Sequence, residues 1–467
     1  MNFKIKKLII VLFLNFVSLY AWERTYGGGL SDRGYCVKQT PDLGYIITGC
    51  TYSFGNGYGD LYLLKTDSLG NLEWSKTFGG NLEDIGFCVE DAGNGYVVVG
   101  STYSYGVNED MYFIKVDLNG NLIWQKVYGD PNYIQCGYEV EKTVDGGYII
   151  TGYWSRDIYL LKTDVYGNIE WQKRYRVYAE NRGYSVKQTS DNGYIIAGYT
   201  HSPLHQVTDI CVIKVDSLGE MKWLRLFGGD GKEKGYCIVE THDKCYAIVG
   251  YTNSFGSGGY DVYLIKVDTL GNLLWERTYG GVRNDFGYSV KETQDKGFII
   301  TGVKDEGNTG YKNIYVLKTD SLGNILWEKI FGGQADECGY WVENISEKGY
   351  VIAGYTNSFG YGEYDVYIIK EEETNIKEKS NFNDFFTISN IFKDKIILRT
   401  PFTSEKKIFI ILHNIIGVPV FKSFYSFKTP LIIIYDKKIQ ELPQGVYFLS
   451  IYFDKDNFKR IKMIKIY

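Results

Sequence analysis

An all-β chain is predicted, a seven-bladed β-propeller of four-stranded blades followed by a small C-terminal β-sandwich. Three observations predict it: a tryptophan recurring every 47–52 residues, a four-strand pattern inside each interval, and an array that stops partway through its last interval. Composition agrees. The 467 residues include 54 Gly, 43 Tyr and 9 Trp but only 7 Pro, which suits short strands joined by tight turns. At 44% hydrophobic and 23% charged, the chain is globular and not disordered. Four His leave little room for histidine metal or acid–base chemistry.

The N-terminus comes first. Lys4, Lys6 and Lys7 precede an apolar run from Leu8 to Leu19, too short to span a bilayer comfortably. Residues 1–21 therefore read as a signal peptide, and the protein as exported. No later segment is long and apolar enough to span, so no transmembrane segment is expected after cleavage.

The propeller occupies 22–372. Trp22, Trp74, Trp124, Trp171, Trp223, Trp275 and Trp327 mark the repeat, each followed four residues later by Tyr or Phe. A Gly-aromatic pair then opens strand A, as at Gly34-Tyr35 and Gly86-Phe87. Strand B ends in Gly, as at Gly49. Strand C carries a lysine two residues before an acid, as in Lys65-Thr66-Asp67. Strand D carries the next Trp. Six units are complete. The seventh has A, B and C and then stops, so Trp22–Tyr26 is expected to supply its D strand and close the ring without a free edge. The tryptophans are expected to pack between blades. The lysines and the following acids are expected to cap the C–D turn or pair with a neighbouring blade.

The C–D turn resembles the tryptophan-docking repeat of quinoprotein propellers, and more loosely the Asp-box of sialidases. Both are structural devices, so the resemblance bears on fold and says little about activity.

Two residues before each strand-A glycine stand Asp32, Asp84, Gln135, Asn181, Glu233, Asp285 and Glu337, all with a side-chain oxygen. The repeat places them in a ring at the channel mouth. As a ligand set they would take a polar ligand or a hard cation such as calcium, although no cofactor is expected. The competing reading, that each caps backbone N–H groups of its own loop, fits a feature recurring in every unit. No other metal site and no catalytic constellation stands out. Arg33, Arg182 and Arg283 could face one mouth, but no nucleophile pattern accompanies them. His201 and His205 lie in a loop without fixed spacing. The aromatic B–C loops, such as Tyr52–Tyr58 and Tyr355–Tyr361, suit sugars or peptides, or pack on one another. The eight Cys show no C-x-x-C, and repeat-equivalent cysteines in different blades are expected to be too far apart to bridge.

Charge divides the chain. Residues 377–467 carry 16 Lys and Arg against 8 Asp and Glu, while the body is strongly acidic. An acidic body argues against nucleic acid as a partner. Residues 373–384 read as a linker. Residues 385–467 read as the β-sandwich, with strands at 394–399, 407–413, 418–424, 431–435, 445–453 and 458–467. Thr400-Pro401-Phe402, Lys407–Leu412, Ile416–Val420, Leu442-Pro-Gln-Gly445-Val446-Tyr447-Phe448 and the basic end Lys459–Lys465 resemble a C-terminal sorting domain of the type IX secretion system. The family usually has Asn-Pro-Phe where this chain has Thr-Pro-Phe. The resemblance implies a bacterial protein that engages the type IX machinery and is secreted or displayed on the outer-membrane surface. Two functions follow: a non-catalytic binding protein whose propeller face engages a glycan, peptide or surface protein, or a secreted propeller glycoside hydrolase or polysaccharide lyase.

Overall fold

The computed structural model describes residues 21–202, 207–306, 310–345 and 349–372. Between Thr387 and Lys465 it describes eight strands, one short helix and the turn that follows it. The predicted signal segment and the linker lie outside the described residues, apart from Ala21. The chain divides into two compact units, one ending at Glu373 and the other beginning at Thr374. Among the described residues no helix is long and apolar enough to cross a membrane.

The first unit is a ring of seven four-stranded antiparallel sheets. Six are consecutive in sequence, from Asp32–Gln39 through Leu72–Phe78 in blade 1 to Phe286–Glu292 through Ile325–Phe331 in blade 6. The seventh joins β1 (Trp22–Tyr26) to β28 (Asp365–Glu372), β27 (Gly349–Thr356) and β26 (Glu337–Asn344). Its register runs from Trp22 opposite Lys370 to Tyr26 opposite Val366. The ring thus closes on a strand contributed from the other end of the array. The A strands of successive blades touch around the whole circle and line the channel.

Strands B and C read as near-continuous apolar runs because sheets cover both their faces; Tyr45–Thr51 and Asp60–Thr66 are buried at every residue. Strand D is largely exposed, as in Leu72–Phe78, where Trp74 is half-buried. Each D-strand Trp reaches the next blade. Trp22 meets Tyr45 edge to face at 5.6 Å, Trp171 meets Tyr194 at 5.9 Å and Trp275 meets Phe298 at 5.9 Å. The indole lies against the C–D turn glycine of that blade, Gly70 beneath Trp22, whose φ of +75° and lack of Cβ let the ring approach. The aromatic four residues on completes the dock: Tyr26, Tyr175 and Tyr279 donate hydroxyls to Gly70, Gly219 and Gly323 carbonyls at 2.6–2.7 Å.

The lysine expectation needs correction. Asp67 does cap the C–D turn, accepting from Leu69 and Asn71 N–H at 2.8 Å. Lys65 instead turns to the A–B hairpin of its own blade, bonding Asp42 at 2.9 Å, Glu73 at 3.0 Å and the Thr66 carbonyl at 2.9 Å. Lys162, Lys214, Lys266 and Lys318 repeat the arrangement with Asp145, Asp191, Asp243 and Asp295. Asp67 lies past the end of its strand, Asp60–Thr66, and its short side chain reaches only its own turn, while the longer lysine reaches across to the A–B hairpin.

The second unit holds a three-stranded sheet, in the order Thr387–Ile388, Ile396–Arg399 and Leu431–Ile434, and a five-stranded sheet, in the order Ile391–Phe392, Phe458–Lys465, Gly445–Tyr452, Lys406–Asn414 and Pro419–Phe427. Strands Ile396–Arg399, Lys406–Asn414, Pro419–Phe427, Leu431–Ile434, Gly445–Tyr452 and Phe458–Lys465 coincide with the six predicted. Thr400-Pro401-Phe402 lies outside the described residues. The Gly445–Phe448 part of the specific block and the basic end fall on adjacent antiparallel strands.

Candidate functional site

The seven predicted ring residues open the A strands, and they do not converge on the channel. Asp32, Asp84, Gln135, Asn181, Glu233 and Glu337 are 0% exposed and Asp285 is 1% exposed. Alternation turns them into the seams between blades, while the next residue, Arg33 in blade 1, faces the channel. Each is occupied by loop donors. Asp32 accepts from Gly28 N–H and Ser53 hydroxyl at 2.7 Å, and Asp84 from Gly80 N–H at 2.8 Å and Ser104 hydroxyl at 2.6 Å. Gln135 accepts from Asp130 N–H and Asn181 from Tyr178 N–H, both at 3.1 Å. Glu233 and Glu337 each take a threonine hydroxyl, Thr252 at 2.7 Å and Thr356 at 2.8 Å, and Asp285 takes Gly281 N–H at 2.7 Å. The arrangement is seven separate caps, closed to solvent.

A second acid, which sequence reading passed over, stands at the start of the C strand in six blades (Asp60, Asp110, Asp157, Asp209, Asp261 and Asp365), and blade 6 has Asn313 there. At the seams Asp365 meets Asp32, Asp60 meets Asp84, and Asp261 meets Asp285 across a D–A loop glycine. A Cβ at Gly27, Gly79 or Gly280 would collide with both carboxylates, which explains the recurrent glycine. Burial, reinforced by the neighbouring charge, raises the Asp60, Asp365 and Asp285 carboxyls above their ordinary range. Among the described residues, no group of three His, Cys, Asp or Glu is placed to hold a metal.

The channel wall is aromatic at mid-height. Tyr35, Phe87, Tyr138, Tyr184, Tyr236, Tyr288 and Tyr340 form a closed belt, each ring 4.8–5.5 Å from the next. On the loop side, Arg33 lies over Tyr355 and Tyr364 at 5.2 and 4.9 Å, Arg182 over Tyr153 at 3.6 Å, and Lys234 over Tyr199 at 4.1 Å. Arg283 stays exposed in its loop and does not join them. At the opposite end Lys38 pairs with Glu90 at 3.1 Å and Glu343 at 3.6 Å, and Lys291 with Glu343 at 3.1 Å. Burial opposes ionisation of Glu343, but Lys291 and Lys38 outweigh it and hold its carboxyl at about 2.

All eight cysteines are free thiols, and Cys36 and Cys88 sit with sulfurs 3.7 Å apart. The expectation that repeat-equivalent cysteines are too distant fails here because A strands of adjacent blades crowd together at the channel. His201 lies on strand Tyr194–Ser202; His205 lies outside the described residues.

The B–C loop aromatics divide into two sets. Phe54, Tyr105, Phe255 and Phe359 pack on a C-strand tyrosine of their own blade at 5.6–5.8 Å. Tyr58 and Tyr361 stand 76% and 83% exposed. Blade 3 differs. Its short turn uncovers a cavity of about 330 Å³ lined by Asp130, Tyr133, Trp154, Tyr159, Gln172 and Arg174. The signal was in the sequence: the shortest interval in the array, 47 residues, ends at Trp171.

No protein-family model matches the chain, and no curated protein is significantly similar to it. Among solved structures it is similar to a protein of unknown function from Dyadobacter fermentans, at 11% identity and TM-score 0.45, over 75% of this chain and 98% of that one. It is also similar to PorZ, a surface component of the type IX secretion system of Porphyromonas gingivalis, at 9% identity and TM-score 0.37, over 90% and 65%. A third is the polysaccharide lyase Uly1, at 12% identity and TM-score 0.48, over 75% and 92%. At these identities the likeness concerns the fold alone.

Proposed function

We propose that the chain is an exported, non-catalytic binding protein whose propeller loop face engages a glycan, peptide or surface protein, and whose C-terminal unit directs secretion or surface attachment through the type IX machinery. The observation that carries the binding part is the loop face itself. It presents exposed Tyr58 and Tyr361 and the open aromatic cavity of blade 3, while its paired carboxylates are sealed into the seams by loop N–H and hydroxyl donors. Large aromatic surface at low entropy cost suits recognition. A hydrolase or lyase needs its acid and base open to a substrate, and the seam carboxylates lack that access.

The secretion part rests on the basic and apolar N-terminal run and on the sorting-domain block of residues 442–448. An array of glycans and peptides probed with the full chain tests the first part: saturable binding to one class, without turnover of the bound compound, is the expected result. Cleavage of a bound polysaccharide would overturn the non-catalytic reading. For the second, removing residues 385–467 in a host with the secretion system should leave the chain in the periplasm, and normal surface display would overturn it.

A further inference from the structure

Blade 3 breaks the repeat in three linked ways. Its B–C connection shrinks to Ser155-Arg156, between strands Tyr148–Trp154 and Asp157–Thr163. In blade 1 the connection runs from Tyr52 to Gly59. Trp154 takes the register position held by a threonine in five other blades: it faces Gln135 as Thr51 faces Asp32 and Thr252 faces Glu233. Those threonines cap the long loop, as when Ser53 N–H bonds Thr51 Oγ1 at 3.1 Å. Without a loop to cap, Trp154 covers Tyr159 at 5.2 Å, the part played by Phe54 over Tyr62 in blade 1. Finally, Arg176 stands where other seams have glycine and bonds both oxygens of Asp157, at 2.6 and 3.2 Å.

These changes are mutually consistent and serve no need of the ring, since the other blades close without them. They leave the cavity already described, and a second of about 460 Å³ that shares Tyr133 and Arg174 with it and is completed by Ser155, Asp157 and Arg176. Such volumes are those of small-ligand sites. The indole N–H of Trp154 is enclosed and has no acceptor in the protein, which is costly unless a ligand or water supplies one. Arg174 lies over the Trp154 ring at 5.2 Å, is solvent-exposed, and forms no ion pair among the described residues. Four of the chain's eleven arginines fall between residues 156 and 182. The same stretch holds Asp157, Asp164, Glu170 and Glu180, and Asp130 lines the cavity, so its cationic element is Arg174 itself, which has no ion-pair partner among the described residues.

We propose that the blade 3 cavity binds a carboxylated sugar residue, a uronate unit of an acidic oligosaccharide. This deepens, and rests on, the reading of the chain as a binding protein. Trp154 and Tyr133 offer rings to the apolar face of a pyranose. The Trp154 N–H donates to a sugar oxygen. Gln172, whose oxygen already accepts from Tyr159, has its amide N–H₂ to give to a hydroxyl. The free guanidinium of Arg174 presents the planar fork that matches a carboxylate. A neutral sugar would satisfy the aromatic wall but leave that fork unanswered.

Titration of the full chain with a galacturonate tetrasaccharide, a mannuronate tetrasaccharide and neutral cellotetraose tests this, with tryptophan fluorescence and calorimetry as readouts. At least one acidic probe should bind, and cellotetraose at least tenfold more weakly. Arg174→Gln should weaken the acidic probe tenfold or more and leave the melting temperature unchanged, because its side chain is exposed. Trp154→Phe should remove the fluorescence change. Binding that both variants retain in full would overturn the assignment to this cavity while leaving the binding reading intact. Failure of both acidic probes at millimolar concentration would overturn the ligand class, and the array described above would then decide the wider reading by itself.

Discussion

Replacing Trp22 by alanine should weaken the ring at its only non-consecutive sheet. The indole is 8% exposed, meets Tyr45 at 5.6 Å and donates to the Ser68 carbonyl at 3.2 Å. Truncating a buried Trp costs ~3–5 kcal/mol. The lost edge-to-face contact and the orphaned carbonyl fall within that range. At about 2 °C per kcal/mol for a domain of this size, the melting temperature should fall by roughly 6–10 °C. Trp74→Ala is the matched control: its indole is half-buried, meets Tyr96 at 6.5 Å, and sits in a blade whose strands are continuous in sequence. It should cost about 2–3 kcal/mol. Thermal and urea unfolding of the full-length variants provide the comparison. A Trp22→Ala protein that melts with wild type, or a Trp74→Ala protein that loses more, would refute closure through the N-terminal strand.

Three further outcomes follow from the charges. Asp42, Asp145, Asp191 and Asp243 are largely exposed; the desolvation that opposes their ionisation is outweighed by threonine and lysine hydrogen bonds, which hold them at about 2, so the solvent-screened stability they supply is present above pH ~4 and is lost as pH falls toward 2. Asp60, Asp261 and Asp365 are shifted the other way, chiefly by burial, so protonating them on the way down toward pH ~4 adds stability; the melting temperature should peak in mild acid, and a monotonic rise from pH 4 to 8 would contradict this. Glu343→Gln should destabilise by about 3–5 kcal/mol in urea unfolding, because it strands Lys291 in the channel and leaves Lys38 with Glu90 alone, and a neutral result would show the ion ring to be solvated. Calcium should move the melting temperature by less than about 2 °C, because the A-strand acids are already capped, and a larger saturable shift lost in Asp84→Asn with Asp285→Asn would contradict that geometry.

The strand pattern was legible because it is written seven times over. Period-2 alternation, Gly-containing turns and the truncated seventh unit together leave closure through Trp22–Tyr26 as the economical topology. The Trp dock was legible in outline, since an aromatic recurring at fixed spacing in an exposed strand has to bury against something. The partner of the recurrent lysine was not, because spacing along one strand cannot say which of two turns a long side chain reaches. The A-strand acids were misplaced for a related reason. A strand carries side chains to both sides, and only the sheet geometry says that Arg33 takes the channel and Asp32 the seam. Their second carboxylates, Asp60 and its equivalents, lie far off in sequence and meet them only across a blade boundary.

The blade 3 cavity was hidden for the opposite reason. Comparison of repeats rewards what recurs, and Trp154, Arg174 and Arg176 do not. Features that recur around the array answer to the ring, as the caps and docks do in every blade and the lysine clusters in five. A feature present once is free to answer to a ligand.

Hydrogen–deuterium exchange on the full chain, with and without a saturating acidic tetrasaccharide, tests that distinction most directly. The account predicts added protection confined to residues 130–134, 153–158 and 172–178, the three segments that meet at the blade 3 cavity. Protection spread over the equivalent segments of other blades, or centred on the seam residues Asp32, Asp84 and Asp285, would contradict it.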